Sequence, residues 1–171
     1  MPKRLLILTL TALLLNPAPP AAGSSVAGLT QPQKLGEATM RWLGLPIYDA
    51  ALYTEGAARF SWSQPLALEL RYLRSFPASQ LTKSTLDELQ RIEGPQGDHA
   101  AMIAKLGECF KDVRKGDRLT AYSSASSKLS FSFNGGAPCT VSHKGVRERF
   151  LGIWLSGNSR SAKLTRRLKG Q

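Results

Sequence analysis

The sequence predicts an α+β domain: an antiparallel sheet with its helices on one face. Three observations carry that expectation. Strand-like and helix-like stretches are grouped along the chain, strands first, then two helices, then strands, then helices. A doubly wound parallel sheet would need regular strand–helix alternation instead. The segment LALELRYL alternates with period two, so that Leu66, Leu68, Leu70 and Tyr72 share one face and Ala67, Glu69, Arg71 and Leu73 the other. That is a half-buried antiparallel strand with one wetter side. The period then changes: Leu81, Leu86, Leu89 and Ile92 follow at roughly helical spacing between Pro77 and the Gly94-Pro95 stop.

At the start of the chain, Lys3 and Arg4 precede the apolar run Leu5–Leu15, and NPAPPAAGSSVAG adds helix breakers and small residues. This order is that of a secretory signal peptide, and the run is shorter than the about 20 residues that span a bilayer. We read residues 1–23 as the signal peptide, 24–34 as a flexible lead-in and 35–171 as a single domain. Cleavage after Ala22, Gly23 or Ala27 fits the small-residue rule, and an uncleaved anchor is the alternative. No cysteine follows the run closely, which argues against a lipid-anchored form.

The stretch GEATMRWLGLPIYDAALYTEG (Gly36–Gly56) reads as two strands around a turn at Gly44. On the second strand Leu45, Ile47, Asp49, Ala51 and Tyr53 share one face, and Pro46, Tyr48, Ala50, Leu52 and Thr54 the other. Arg41 is the cation among these apolar residues. We expect Arg41 and Tyr48 to meet inside a cleft, where a guanidinium fork and a phenol would hold a carboxylate or an enolate. Bland readings stand beside these: an exposed edge-strand arginine and a packing tyrosine with a polar tip.

Further along, Asp98 is the expected cap of a second helix that carries Met102, Ile103, Leu106 and Phe110 on one stripe and ends near Lys111. After the Lys115-Gly116-Asp117 turn, strands are expected over 118–124, 128–133 and 137–142, with Asn134-Gly135-Gly136 as a tight turn. Val146, Phe150, Ile153 and Trp154 then form a helical stripe broken by Gly157-Asn158, and a basic helix covers Ser161–Leu168.

The formal charge is +11, with five cations, Arg160, Lys163, Arg166, Arg167 and Lys169, in the last twelve residues. No aromatic interleaves with them, so we expect a solvated helix face with weak attraction to an anionic membrane surface, and no nucleic-acid partner. Cys109 and Cys139 are too far apart for a CxxC motif. In an oxidising compartment they either pair as a disulfide or stay as buried thiols. His99 and His143 lack a ligand pattern, and there is no GxSxG, phosphate loop or dinucleotide fingerprint. We therefore expect neither metal nor cofactor.

GEATMRWLGLPIYDAALY, PLALELRYLRSF leading into SQLTKSTLDEL, VRKGDRLTAY, FSFNGG and ERFLGIWLS, in this order and followed by a basic tail, resemble the chalcone isomerase-like family. The similarity is to its exported bacterial branch, which implies a periplasmic location. It implies an open-faced β-sandwich, a large antiparallel sheet with a layer of helices and a ligand cleft between them. The family holds enzymes that close a flavanone ring and non-catalytic members that hold a fatty acid through an arginine and a tyrosine. On this resemblance Arg41 looks like the family arginine, Tyr48 takes the hydroxyl position in the form the fatty-acid binders have, and Lys83 is retained. Gln80 and Asp87 stand where the enzymes place a tyrosine and an asparagine. By itself Lys83 reads as a solvated residue one turn into its helix. The expected ligand-binding set is thus Arg41, Tyr48 and Lys83, for a small amphipathic or acidic ligand, with no catalytic residue assigned. An intramolecular lyase acting on an α,β-unsaturated carbonyl and an envelope-interaction protein are the alternatives.

Overall fold

The structure is a computed structural model and describes residues 26–171. The segment read as a signal peptide lies outside the described residues. The elements, in order, are β1 (Pro32–Trp42), β2 (Leu45–Glu55), β3 (Leu66–Tyr72), α1 (Ala78–Glu93), α2 (His99–Cys109), β4 (Arg118–Ser123), β5 (Lys128–Phe133), β6 (Cys139–Ser142), α3 (Val146–Leu155) and α4 (Ala162–Leu168).

The strands form one antiparallel meander in the order β1-β2-β3-β4-β5-β6. Alternation decides which face is covered. Leu66, Leu68 and Leu70 of β3 pair in register with Thr54, Leu52 and Ala50 of β2, and with Ser123, Ala121 and Leu119 of β4. All of these are buried, and together with Leu129 and Phe131 of β5 they present one apolar face to the helices. Burying a leucine or phenylalanine there contributes about 1.5–3 kcal/mol. From the helices, Leu89, Met102, Leu106, Phe150, Leu155 and Leu168 fill that face. This is the α+β, open-faced arrangement that the grouping of elements predicts.

Several boundaries differ from the sequence reading. The lead-in is pinned from Val26, which is buried, and β1 already starts at Pro32. The Glu55 carboxylate accepts from the amides of Thr30 (2.9 Å) and Gln31 (2.5 Å), which fixes the segment before β1. Helix α2 ends at Cys109, because Phe110 is already extended and turns its ring into the core. Strand β6 begins at Cys139, where the disulfide fixes it.

Two cross-links fix the helical layer, one to the sheet and one within it. Cys109, the last residue of α2, is disulfide-bonded to Cys139, the first of β6, with Cα atoms 5.5 Å apart. Arg149 of α3 bonds both Glu93 at the end of α1 (2.7 Å) and Asp98 before α2 (2.8 Å). Asp98 occupies the cap position of α2, yet its side chain caps nothing. Its carboxylate is turned to Arg149, since a charge-assisted bond to a guanidinium is stronger than one to a neutral amide.

Burial pushes the Glu93 carboxyl up, but hydrogen bonds from Arg149 and His99 outweigh this and hold it below its ordinary value of 4.5. The hydrogen bond from Arg149 likewise lowers Asp98. A carboxylate lowered in the folded state contributes stability above its unfolded pKa and loses it as pH falls through the folded one. Arg149→Met leaves Glu93 with His99 as its partner and should destabilise the domain by roughly 2 kcal/mol in urea unfolding at neutral pH. The same variant should show a shallower loss of stability on acidification below the carboxylate range. Replacing both Cys109 and Cys139 by alanine should lower stability by roughly 3 kcal/mol, the scale of a disulfide closing a loop of this length.

Candidate functional site

A cleft of about 390 Å³ opens between the β1–β3 end of the sheet and the helices α1, α3 and α4. Ligand pockets fall in the range of about 300–1,000 Å³. Leu70, Tyr72 and Leu119 line it from the sheet, Leu81 from α1, and Phe150 and Trp154 from α3. The polar groups inside are neutral. Tyr48 accepts a hydrogen bond from Trp154 Nε1 at 2.8 Å, a bond that joins β2 to α3. The Tyr72 ring stands edge-on to Tyr48 with centroids 6.1 Å apart. Among the described residues the Tyr72 hydroxyl has no hydrogen-bond partner, and the Tyr48 hydroxyl has no acceptor. Each keeps an O–H free to donate.

Burial governs the ionisation of both phenols. It pushes Tyr48 up to about 12, against the smaller lowering effect of the Trp154 bond. Burial raises Tyr72 as well, helped by its neighbour Tyr48. At any physiological pH both are neutral donors, suited to a carbonyl, hydroxyl or carboxyl oxygen.

Charge sits at the mouth. Arg160, in the loop before α4, places its guanidinium 5.4 Å from the centre of the Trp42 ring. It also forms an ion pair with Glu88 of α1. Glu88 accepts a second bond from Arg91 at 2.8 Å, and Asp87 is paired with Lys83 at 2.7 Å. The sequence reading assigns Arg160 to a solvated basic tail. Only the fold brings it to Trp42, and no local motif signals that meeting.

Of the three residues expected to form the site, the structure places Tyr48 in the cleft and the other two outside it. Arg41 is exposed and donates to Gly44 O at 3.3 Å within its own hairpin. Alternation along β1 supplies the reason: Met40 and Trp42 both line the cleft, so Arg41 between them faces the other side. Lys83 is exposed on α1 and points to Asp87, while its neighbours Gln80, Leu81 and Ser84 line the cleft. Among the described residues no group of three or more His, Cys, Asp or Glu is placed to hold a metal ion.

An open antiparallel sheet, a covering layer of helices and an apolar cleft between them define an open-faced α+β class of domain. The chain belongs to the chalcone isomerase-like family, whose profile matches residues 32–170. A Haemophilus influenzae protein described only as uncharacterized is 23% identical over 147 residues, covering 86% of this chain and 72% of that protein. The crystal structure of the Arabidopsis thaliana fatty-acid binding protein AtFAP1 superposes with a TM-score of 0.60. That match covers 82% of this chain and 88% of the Arabidopsis one at 10% identity, and so shows a common fold.

The raised phenols have a measurable consequence. A tyrosine raised in the folded state contributes stability that is complete below its ordinary value of 10.0 and is lost as pH climbs toward about 12. Ultraviolet titration of the folded protein should show late-titrating phenol, and Tyr48→Phe should remove part of it. The same variant should lose stability less steeply between those two pH values.

Proposed function

We propose that this protein is a non-catalytic carrier of a small amphipathic, fatty-acid-like molecule. The apolar part lies in the cleft and the acidic end at the mouth beside Arg160. The observation that carries this reading is the division of the site: neutral phenols and apolar walls within, the Arg160 guanidinium paired with Glu88 at the opening. A carboxylate keeps its hydration and gains a cation at such an opening, whereas burying it among neutral groups is costly. AtFAP1, which is named a fatty-acid binding protein, shares the fold and so supports the ligand class. The intramolecular lyase reading needs a cation placed at the developing oxyanion. The arginine that the sequence offers for it, Arg41, is on the outer side of the hairpin.

Export to the bacterial periplasm is part of the proposal. It draws on the leader-like composition of residues 1–23, and the Cys109–Cys139 disulfide suits an oxidising compartment. Lys163, Arg166 and Arg167 of α4 are exposed, which supports weak contact of the basic tail with an anionic membrane surface.

Isothermal titration of the purified domain with oleate tests the carrier reading. Arg160→Ala should weaken oleate binding about tenfold, the scale of one charge-assisted hydrogen bond, and leave the methyl ester unaffected. Arg41→Ala should change neither. Ser84→Trp, which fills the mouth from an exposed helix position, should abolish binding of both. No binding by the wild type, or equal binding by Ser84→Trp, overturns the assignment.

A further inference from the structure

Among the described residues, the large apolar side chains left exposed are Trp42 (52%), Leu43 (88%) and Leu45 (50%). All three sit at the tip of the β1–β2 hairpin. A soluble domain scatters such residues singly, whereas a contiguous exposed apolar patch marks a contact surface.

The turn gives a second, independent sign. Leu43 and Gly44 both have positive φ, 48° and 80°, the conformation of a two-residue hairpin turn that asparagine and glycine suit. The turn at Asn134 and Gly135 has matching values, 50° and 74°, and carries those two residues. At the first turn a leucine occupies the left-handed position, where an L side chain with a bulky branch is strained. Neither folding nor solubility asks for a leucine there, so the strain points to a role for its exposed side chain.

The surroundings are cationic on balance, with Glu88 paired to Arg160. Arg41 and Arg160 flank the tip. Leu73 N donates to Ile47 O at 2.9 Å, which brings the exposed Arg74 to the same end of the sheet. Among the described residues Arg41 and Arg74 form no ion pair, and Arg41 donates to the carbonyl of Gly44. That bond satisfies a turn carbonyl from within the tip, which lessens the penalty when the turn leaves bulk water.

We propose that this hairpin tip docks the protein on an anionic lipid bilayer. Leu43 and Leu45 enter at headgroup level, Trp42 lies at the interface, and Arg41, Arg74 and Arg160 face lipid phosphates. Tryptophan and arginine are the residues that suit a boundary with one apolar and one charged side. A two-residue turn offers far less than the about 800 Å² per partner of a stable protein interface, so a second copy of the chain fits it poorly. A bilayer needs only local penetration. Docking does not depend on the carrier reading, and it brings the mouth of the cleft to the membrane, since Trp42 also lines the cleft.

Co-sedimentation of the ligand-free protein with phosphatidylglycerol–phosphatidylcholine vesicles tests the proposal. Wild type should partition to these vesicles, and the double substitution Leu43→Asn with Leu45→Thr should reduce that partition tenfold or more. Brominated acyl chains should quench tryptophan emission in the wild type and not in the double variant. The denaturation midpoint of Leu43→Asn alone should not fall, because asparagine suits the turn, and oleate affinity without vesicles should stay unchanged. The proposal is overturned if the wild type ignores the vesicles or the double variant binds them as well as wild type does. Loss of binding only when Lys163, Arg166 and Arg167 are replaced would equally overturn it, in favour of the tail. A wild-type dimer that ignores vesicles and becomes a monomer in the double variant would make the tip a self-association surface instead.

Discussion

Arg149 lies where three helices converge. Its guanidinium takes the carboxylates of Glu93 and Asp98 together, so that the end of α1, the start of α2 and the body of α3 move as one layer. The desolvation of Glu93 is offset only because His99 and Arg149 both reach it. This layer is fixed at one side of the sheet by the disulfide from α2 to β6. At the opposite side the polar tie to the sheet is the Trp154–Tyr48 hydrogen bond. The cleft opens between these ties, under α1 and α3, while α4 closes against β1 at the sheet edge. The cavity follows from where the cross-links are.

Inside that cavity, placement of charge follows from the cost of burial. Tyr48 and Tyr72 are deep enough for their phenols to be raised, and a guanidinium at that depth would need a carboxylate partner that the interior does not supply. Arg160 stays at the rim, where Trp42 and Glu88 hold it in position without removing it from water. Close approach elsewhere preserves this geometry. Gly36 lies so near the carbonyl of Arg167 that a Cβ there would be 1.8 Å from the oxygen. Only glycine in β1 lets α4 lie against the sheet, and with it the loop that carries Arg160.

The fold was largely legible in the sequence because it rests on local periods. The alternation in Leu66–Leu73, the positive-φ residues at Asn134-Gly135 and the stripe through Phe150 and Trp154 each depend on neighbours within a few residues. The site was less legible because it rests on register and on distant contacts. Period two places Tyr48 with Ala50 and Leu52 on the inner face, and the structure agrees. It says nothing of which β1 residue stands opposite Tyr48. That is Met40, which lines the cleft with Trp42 and leaves Arg41 between them on the outer side. A single step of register separates a cleft arginine from a surface one. Asp98 does stand at the cap position, but its side chain is taken by Arg149, a distant partner that a local inference cannot see.

Trp42 joins the two halves of this molecule's chemistry. One side of its ring lines the cleft and carries the Arg160 guanidinium, and half of its surface is open to the outside at the hairpin tip. Exposing a tryptophan there is unfavourable for a protein that meets only water, and the strained leucine beside it adds to the penalty. Both features become favourable together in one setting, a boundary where apolar chains and anionic headgroups meet, because the same few residues then satisfy both. The mouth and the tip also share Arg160, whose charge complements a carboxylate leaving the cleft as well as a phosphate outside it. A hydrophobic molecule passing between bilayer and cleft would thus meet, along one short path, the side chains suited to each end of the transfer.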